Sequence, residues 1–192
     1  MSGPEVPLVA TGSQTIGPFF HVGPGSSERL GRLATEDTPG EAIRLRLRVV
    51  DGDSAPVPDA LIEVWQADAC GSYRAPPSSV GDPSPAFTGF GRLGTNQDGW
   101  CTFETIRPGA VAGSDRPQAP HLNVCLFARG LMRHLYTRVY FAGDPALADD
   151  PLLSLVPENR RSTLLAQPGG DDGTWSLVVR LQGEDETVFF DL

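Results

Sequence analysis

Between residues 43 and 49 the chain alternates strictly, with Ile43, Leu45, Leu47 and Val49 separated by Arg44, Arg46 and Arg48. A period of two over this length belongs to a β-strand with one buried and one wet face. Asp51-Gly52 marks the turn that follows, and Asp59–Gln66 (DALIEVWQ) reads as the next strand. Residues 70–90 are interrupted by repeated prolines, which excludes a helix or a central strand and predicts a long loop. GRLGTNQDGWCTFETIRPG then reads as a strand, an Asp98-Gly99 turn and a strand. His121–Ala128 and Leu135–Phe141 are expected to form an antiparallel pair. Pro157–Gln167 is the best helix candidate, with proline in its first turn. The chain closes on Trp175–Leu181, a Gly183 turn and a short strand over Thr187–Phe190. The pattern predicts an all-β fold, an antiparallel β-sandwich of about eight strands with at most one or two short helices. Residues 1–192 read as one domain. Its first 40 residues form an extended N-terminal arm, and Phe19 and Phe20 beside His21 make that arm too apolar to be left in solvent.

Composition narrows the classes that such a fold could serve. At 192 residues, 40% of them apolar, the chain can bury one good core. No run approaches the ~18 apolar residues of a membrane-spanning helix. The N-terminal stretch lacks the basic start of a secretory signal, so a cytoplasmic protein is expected. The net charge is −9, and all 15 basic residues are arginine. Without lysine or a basic stripe, a nucleic-acid role is disfavoured. The 22 glycines and 18 prolines suit a turn-rich β protein. Cys70, Cys101 and Cys125 form no CxxC and are expected as free thiols in a reducing compartment, with a disulfide left open.

No GxSxG, HExxH or phosphate-binding loop occurs. Gly89–Gly94 (GFGRLG) matches GxGxxG but precedes a strand instead of opening a helix, and reads as chance. What remains is a set of tyrosines and histidines. Tyr136 and Tyr140 share a strand with Arg138 and read as an edge or interface face, and His134 reads as a turn residue. Tyr73 and His121 stand at a loop and a loop–strand junction, where binding groups are usually held.

Six segments carry a resemblance over nearly the whole chain: SQTIGPFF (Ser13–Phe20), EVWQADACGSYR (Glu63–Arg74), the block Asp98–Gly109, APHLNVCLFARG (Ala119–Gly130), RVYFAGDP (Arg138–Pro145) and the terminal LQGEDETVFFDL. In this order they resemble the intradiol ring-cleaving dioxygenases. The resemblance implies a β-sandwich and insertion of both atoms of O2 into a catechol. It also implies a ferric ion held by two tyrosinates and two histidines, since hard phenolate donors favour Fe(III). Carried over by residue, the first tyrosine falls on Tyr73 and the first histidine on His121. The second tyrosine falls on Val111, the second histidine on Asn123, and an arginine before the histidines on Gln118. Two of four ligands are missing. The resemblance therefore implies a degenerate chain without metal, paired in a larger oligomer with a homologous beta-type catalytic subunit that holds the Fe(III). It further implies that Thr15, Gly17, Pro18 and Arg129 reach the partner's substrate pocket, where the arginine would meet a carboxylated catechol. Two other readings stay open. One is a self-sufficient iron enzyme using Tyr73, His121, His134 and Tyr136. The other is a non-catalytic β-sandwich binding or carrier module.

Overall fold

The computed structural model describes residues 10–17, 28–73, 86–170 and 173–191. Its strands are β1 (Ala42–Val50), β2 (Leu61–Gln66), β3 (Phe90–Gly94), β4 (Trp100–Ile106), β5 (His121–Phe127), β6 (Leu135–Phe141), β7 (Leu165–Pro168) and β8 (Thr174–Arg180). They form a single sheet in the order β3-β2-β5-β6-β7-β8-β1-β4. The outer strands β3 and β4 come back into contact, so the sheet is barrel-like and nearly closed. The expected all-β fold of about eight strands is present; the sandwich is not shown, and the pairing is mixed where it was expected to be antiparallel. The strands belong to one sheet, and β1 with β8 and β6 with β7 run parallel. Alternation along each strand is the same whether the sheet closes on itself or faces a second one, so the pattern could not tell these apart.

The joining strand is β7, which pairs with β6 on one side and β8 on the other. It arises from the end of the segment expected as a helix. Residues Glu158–Leu164 make only a 3-10 helix, and the chain extends from Leu165. Thr163 explains part of this. Its hydroxyl donates to the Arg160 carbonyl at 2.8 Å and accepts from the Val188 amide at 3.2 Å, tying the segment to the C-terminal stretch. That stretch is not the strand expected over Thr187–Phe190. It makes one bridge, Phe190 to Tyr136.

Burial follows the pattern that predicted the strands. Ile43, Leu45, Leu47 and Val49 of β1 lie in the core with Ile62 and Val64 of β2, Phe103 of β4, and Leu122, Val124 and Leu126 of β5. The end of β2 is pinned by a buried amide. Gln66 donates to the Ile106 carbonyl at 2.9 Å and accepts from the Thr105 hydroxyl at 2.8 Å. This anchor fixes the exit of β2, from which the Tyr73 loop departs. The three cysteines are free, and burial pushes the Cys101 thiol up to about 12. Phe103 is fully buried in the core. Phe103→Ala is expected to destabilise the fold by about 3–5 kcal/mol, read as a lower urea midpoint at unchanged slope.

Candidate functional site

The loop after β2 is built on Asp68. Its carboxylate accepts from the Cys70 and Ser72 amides at 2.9 and 3.0 Å, an Asx-type turn that presents Tyr73 at its end. Gly71 has φ +79°, and a side chain there would run into the Ala110 carbonyl. The Gly109 amide donates to the Asp68 carbonyl at 2.9 Å. The Tyr73 loop thus lies directly against the Gly109–Val111 turn. Val111 in turn exchanges two backbone hydrogen bonds with Gln118, at 3.0 and 2.8 Å, which leads the chain into β5. All four ligand positions implied by the resemblance are therefore brought to one place, and so is Gln118.

Their side chains connect as a polar chain. His121 is buried, and its Nδ1 lies 2.7 Å from the Ala119 carbonyl. A carbonyl only accepts, so Nδ1 carries the proton and Nε2 is the acceptor. The Tyr73 hydroxyl, 3.3 Å away, donates to Nε2. The Tyr73 oxygen accepts from Asn123 Nδ2 at 2.9 Å, and Asn123 Oδ1 accepts from Arg138 Nε at 3.0 Å. Arg138 also reaches the Tyr140 oxygen at 3.3 Å, and the Tyr140 hydroxyl donates to Asp150 at 3.1 Å. The Asp150 carboxylate is fully buried, and it accepts further from the amides of Ala119 at 2.8 Å and Leu153 at 2.7 Å. Burial, and then the nearby Arg138 charge, lower His121 to about 4. Burial also pushes the Tyr140 phenol well above its ordinary value.

This donor set does not fit a ferric ion. One phenol and one imidazole remain, Val111 offers nothing, and the Asn123 amide is already engaged on both atoms. Among the described residues, no three His, Cys, Asp or Glu side chains come together either. The set with His134 and Tyr136 is not assembled. Tyr140 pairs with His121 while Tyr136 pairs with Cys125. Four residues along β6 put Tyr136 roughly 13 Å from that row, and His134 instead packs its ring on Phe127 and Tyr136. Tyr140, expected on an edge or interface face, is fully buried within this chain.

The expected pocket residues gather separately, at the turn after β5. The Gly130 amide donates to the Thr15 hydroxyl at 2.8 Å, which ties the N-terminal arm beside Arg129. The Arg129 guanidinium is well exposed and stands 3.6 Å from Asp59. A side chain added at Gly17 would meet nothing within 4 Å among the described residues, and Pro18 lies outside them. Sequence reasoning did not single out Asp150 and gave Arg138 no role. Their signal is three-dimensional, since Arg138 faces Asn123 only through the pairing of β5 with β6.

A sequence model of the dioxygenase family matches residues 15–171. The chain is 42% identical to the protocatechuate 3,4-dioxygenase alpha chain of Pseudomonas putida, over 96% of this chain and 97% of that one. It is 35% identical to the protocatechuate 3,4-dioxygenase beta chain of Burkholderia cepacia, over 81% of this chain and 66% of that one. Among solved structures, the dioxygenase domain of a carbohydrate-binding fusion from Streptomyces sp. SirexAA-E superposes with a TM-score of 0.63 at 26% identity, covering 80% of this chain and 87% of that one.

The His121 shift has a signed consequence. Between about 4 and the ordinary 6.5 the unfolded chain holds a proton that the folded chain refuses. The contribution is complete above pH 6.5 and is lost as pH falls toward 4; its size is on the order of 3 kcal/mol. An NMR titration should show the His121 ring neutral down to about pH 4. Charging near its ordinary value would contradict the buried, directed hydrogen bonds described above.

Proposed function

The chain belongs to the dioxygenase family of intradiol ring-cleaving enzymes, and on that premise we propose that it is the metal-free alpha subunit of a protocatechuate 3,4-dioxygenase. A homologous beta-type chain would hold the Fe(III), and the pair would convert protocatechuate and O2 to 3-carboxy-cis,cis-muconate. The observation that carries this reading is the convergence of Tyr73, Val111, His121 and Asn123 at one place with only two ligand-type side chains among them. The four positions meet, and two of the four donors that the resemblance implies are absent.

The chain's part in turnover is to complete a pocket formed with its partner. Arg129 suits this task, because a guanidinium presents a rigid fork of donors to a carboxylate. Its contact with Asp59 is exposed and long, and such pairs contribute little, so it can be exchanged for a substrate anion. The Thr15 hydroxyl holds the arm to the Arg129–Gly130 turn, so Gly17 would be carried toward the same pocket. Of the 40 residues expected as an arm on the partner, Arg32–Thr35 pack on this chain, with Leu33 in its core, so in this reading only the part before them docks on the partner chain. Trp65, Tyr73 and Phe90 are exposed large aromatics, Trp65 pairs with Phe90 across β2 and β3, and the Trp65 and Tyr73 rings meet edge to face at 5.2 Å. Exposed aromatic anchors of this kind are what an interface core uses, so this face would pack on the partner. Three free thiols suit the cytoplasm as the place of work.

The test is steady-state kinetics on the co-purified pair. Arg129→Ala should lower kcat/KM for protocatechuate roughly tenfold or more, the loss of one charged hydrogen bond of about 1.5–3 kcal/mol, with iron content unchanged. Gly17→Val meets nothing among the described residues, and in this reading it should lower turnover while assembly stays intact. Wild-type kinetics for both variants would remove this chain from the pocket. Failure to co-purify with an iron-bearing homologue would remove the proposed function itself.

A further inference from the structure

The polar chain at the degenerate site ends on a group that changes what the site can accept. Arg138 lies half-buried on β6, directly opposite Asn123 in the pairing with β5. Its Nε donates to Asn123 Oδ1 at 3.0 Å and its Nη1 donates to the Tyr140 oxygen at 3.3 Å. Among the described residues it forms no ion pair. The nearest compensating carboxylate on this path, Asp150, is reached only through the Tyr140 hydroxyl. A guanidinium cannot be deprotonated under any working condition. A permanent positive charge is therefore fixed against the ligand positions, two hydrogen bonds from Tyr73 and three from His121.

We propose that Arg138 is the resident cation of this half-site, taking the electrostatic place of a metal ion and making the cluster refuse one, so that the missing ligands are only part of the reason for refusal. This rests on the reading of the chain as the metal-free subunit and adds a second cause to it. The directed hydrogen bonds supply the mechanism. The chain Arg138 to Asn123 to Tyr73 to His121 to the Ala119 carbonyl runs in one direction, and it occupies the Tyr73 oxygen, His121 Nε2 and both polar atoms of Asn123. A metal between Tyr73 Oη and His121 Nε2 would have to break the bond joining them, displace the Tyr73 proton and sit near a guanidinium that has no direct ion pair among the described residues. The arginine completes this network of hydrogen bonds without a metal.

The consequence is that restoring donors is not enough. In the full chain co-produced with its catalytic partner, metal per pair is counted by elemental analysis and by the visible absorption of iron–phenolate. Val111→Tyr with Asn123→His should leave the pair at the wild-type iron content. Adding Arg138→Gln, which removes the charge but keeps a polar side chain, should raise it toward one further iron per pair. A double variant that gains as much iron as the triple would overturn the proposal. So would a triple variant that gains none while its circular dichroism and melting remain those of a folded pair. If the buried tyrosine prevents folding, the decision passes to Asn123→His with and without Arg138→Gln, titrated with Co(II) with the partner's iron in place. Removing the arginine should tighten Co(II) binding at least tenfold, and equal affinities would overturn the proposal. A second iron already present in the wild-type pair would be a different failure, because it would sink the metal-free reading itself whatever the variants do.

Discussion

Leu122, Val124 and Leu126 of β5 are packed into the core, and a strand that buries alternate side chains turns the intervening ones to the opposite face. His121 and Asn123 are therefore held two residues apart on one face, next to Arg138 and Tyr140 of β6. Moving this register by one residue would turn Leu122 outward and His121 into the core, so the energy of core packing also fixes the site. The remaining ligand positions are brought to this face by backbone packing. The Tyr73 loop can lie on the Gly109–Val111 turn because Gly71 and Gly109 lack side chains where the two backbones meet.

On this frame two chemistries can be built with few changes. A cluster with four donors and no fixed charge would suit a metal, while a cluster with two donors and an arginine suits a closed set of hydrogen bonds. The chain has the second. Its Asn123 side chain is suited to this because an amide accepts from Arg138 on one atom and donates to Tyr73 on the other. A neutral imidazole there has one donor and one acceptor as well, but on a rigid ring. The buried Asp150 balances the arginine at a distance and also caps the turn at Leu153, which couples the site to the 3-10 segments packed below it.

Much of this was legible in the sequence, and the parts that were not share a cause. β1 and β5 were readable because they alternate along their length, and β6 because it is rich in aromatic and β-branched residues. β7 was not, because Leu165–Pro168 is short and continues a stretch that resembles a helix start, and it becomes a strand only by pairing with β6 and β8. The choice between a sandwich and one nearly closed sheet depends on that strand and was lost with it. Tyr73 and His121 stood out by position, while Val111, Asn123, Thr15 and Arg129 came from the resemblance. Arg138 was visible as a residue but not as a cation beside Asn123, and Asp150 gave no local signal at all. Both act through contacts that exist only once strands have paired.

In the proposed pair this chain keeps the four positions of a metal site and the partner alone holds the metal. The most direct measurement is a crystal structure of the co-purified pair with anomalous data collected at the iron edge. One anomalous peak per pair is predicted, in the partner chain, with Arg138 hydrogen-bonded to Asn123 in this one. A second peak between the Tyr73 oxygen and His121 Nε2 would contradict the account.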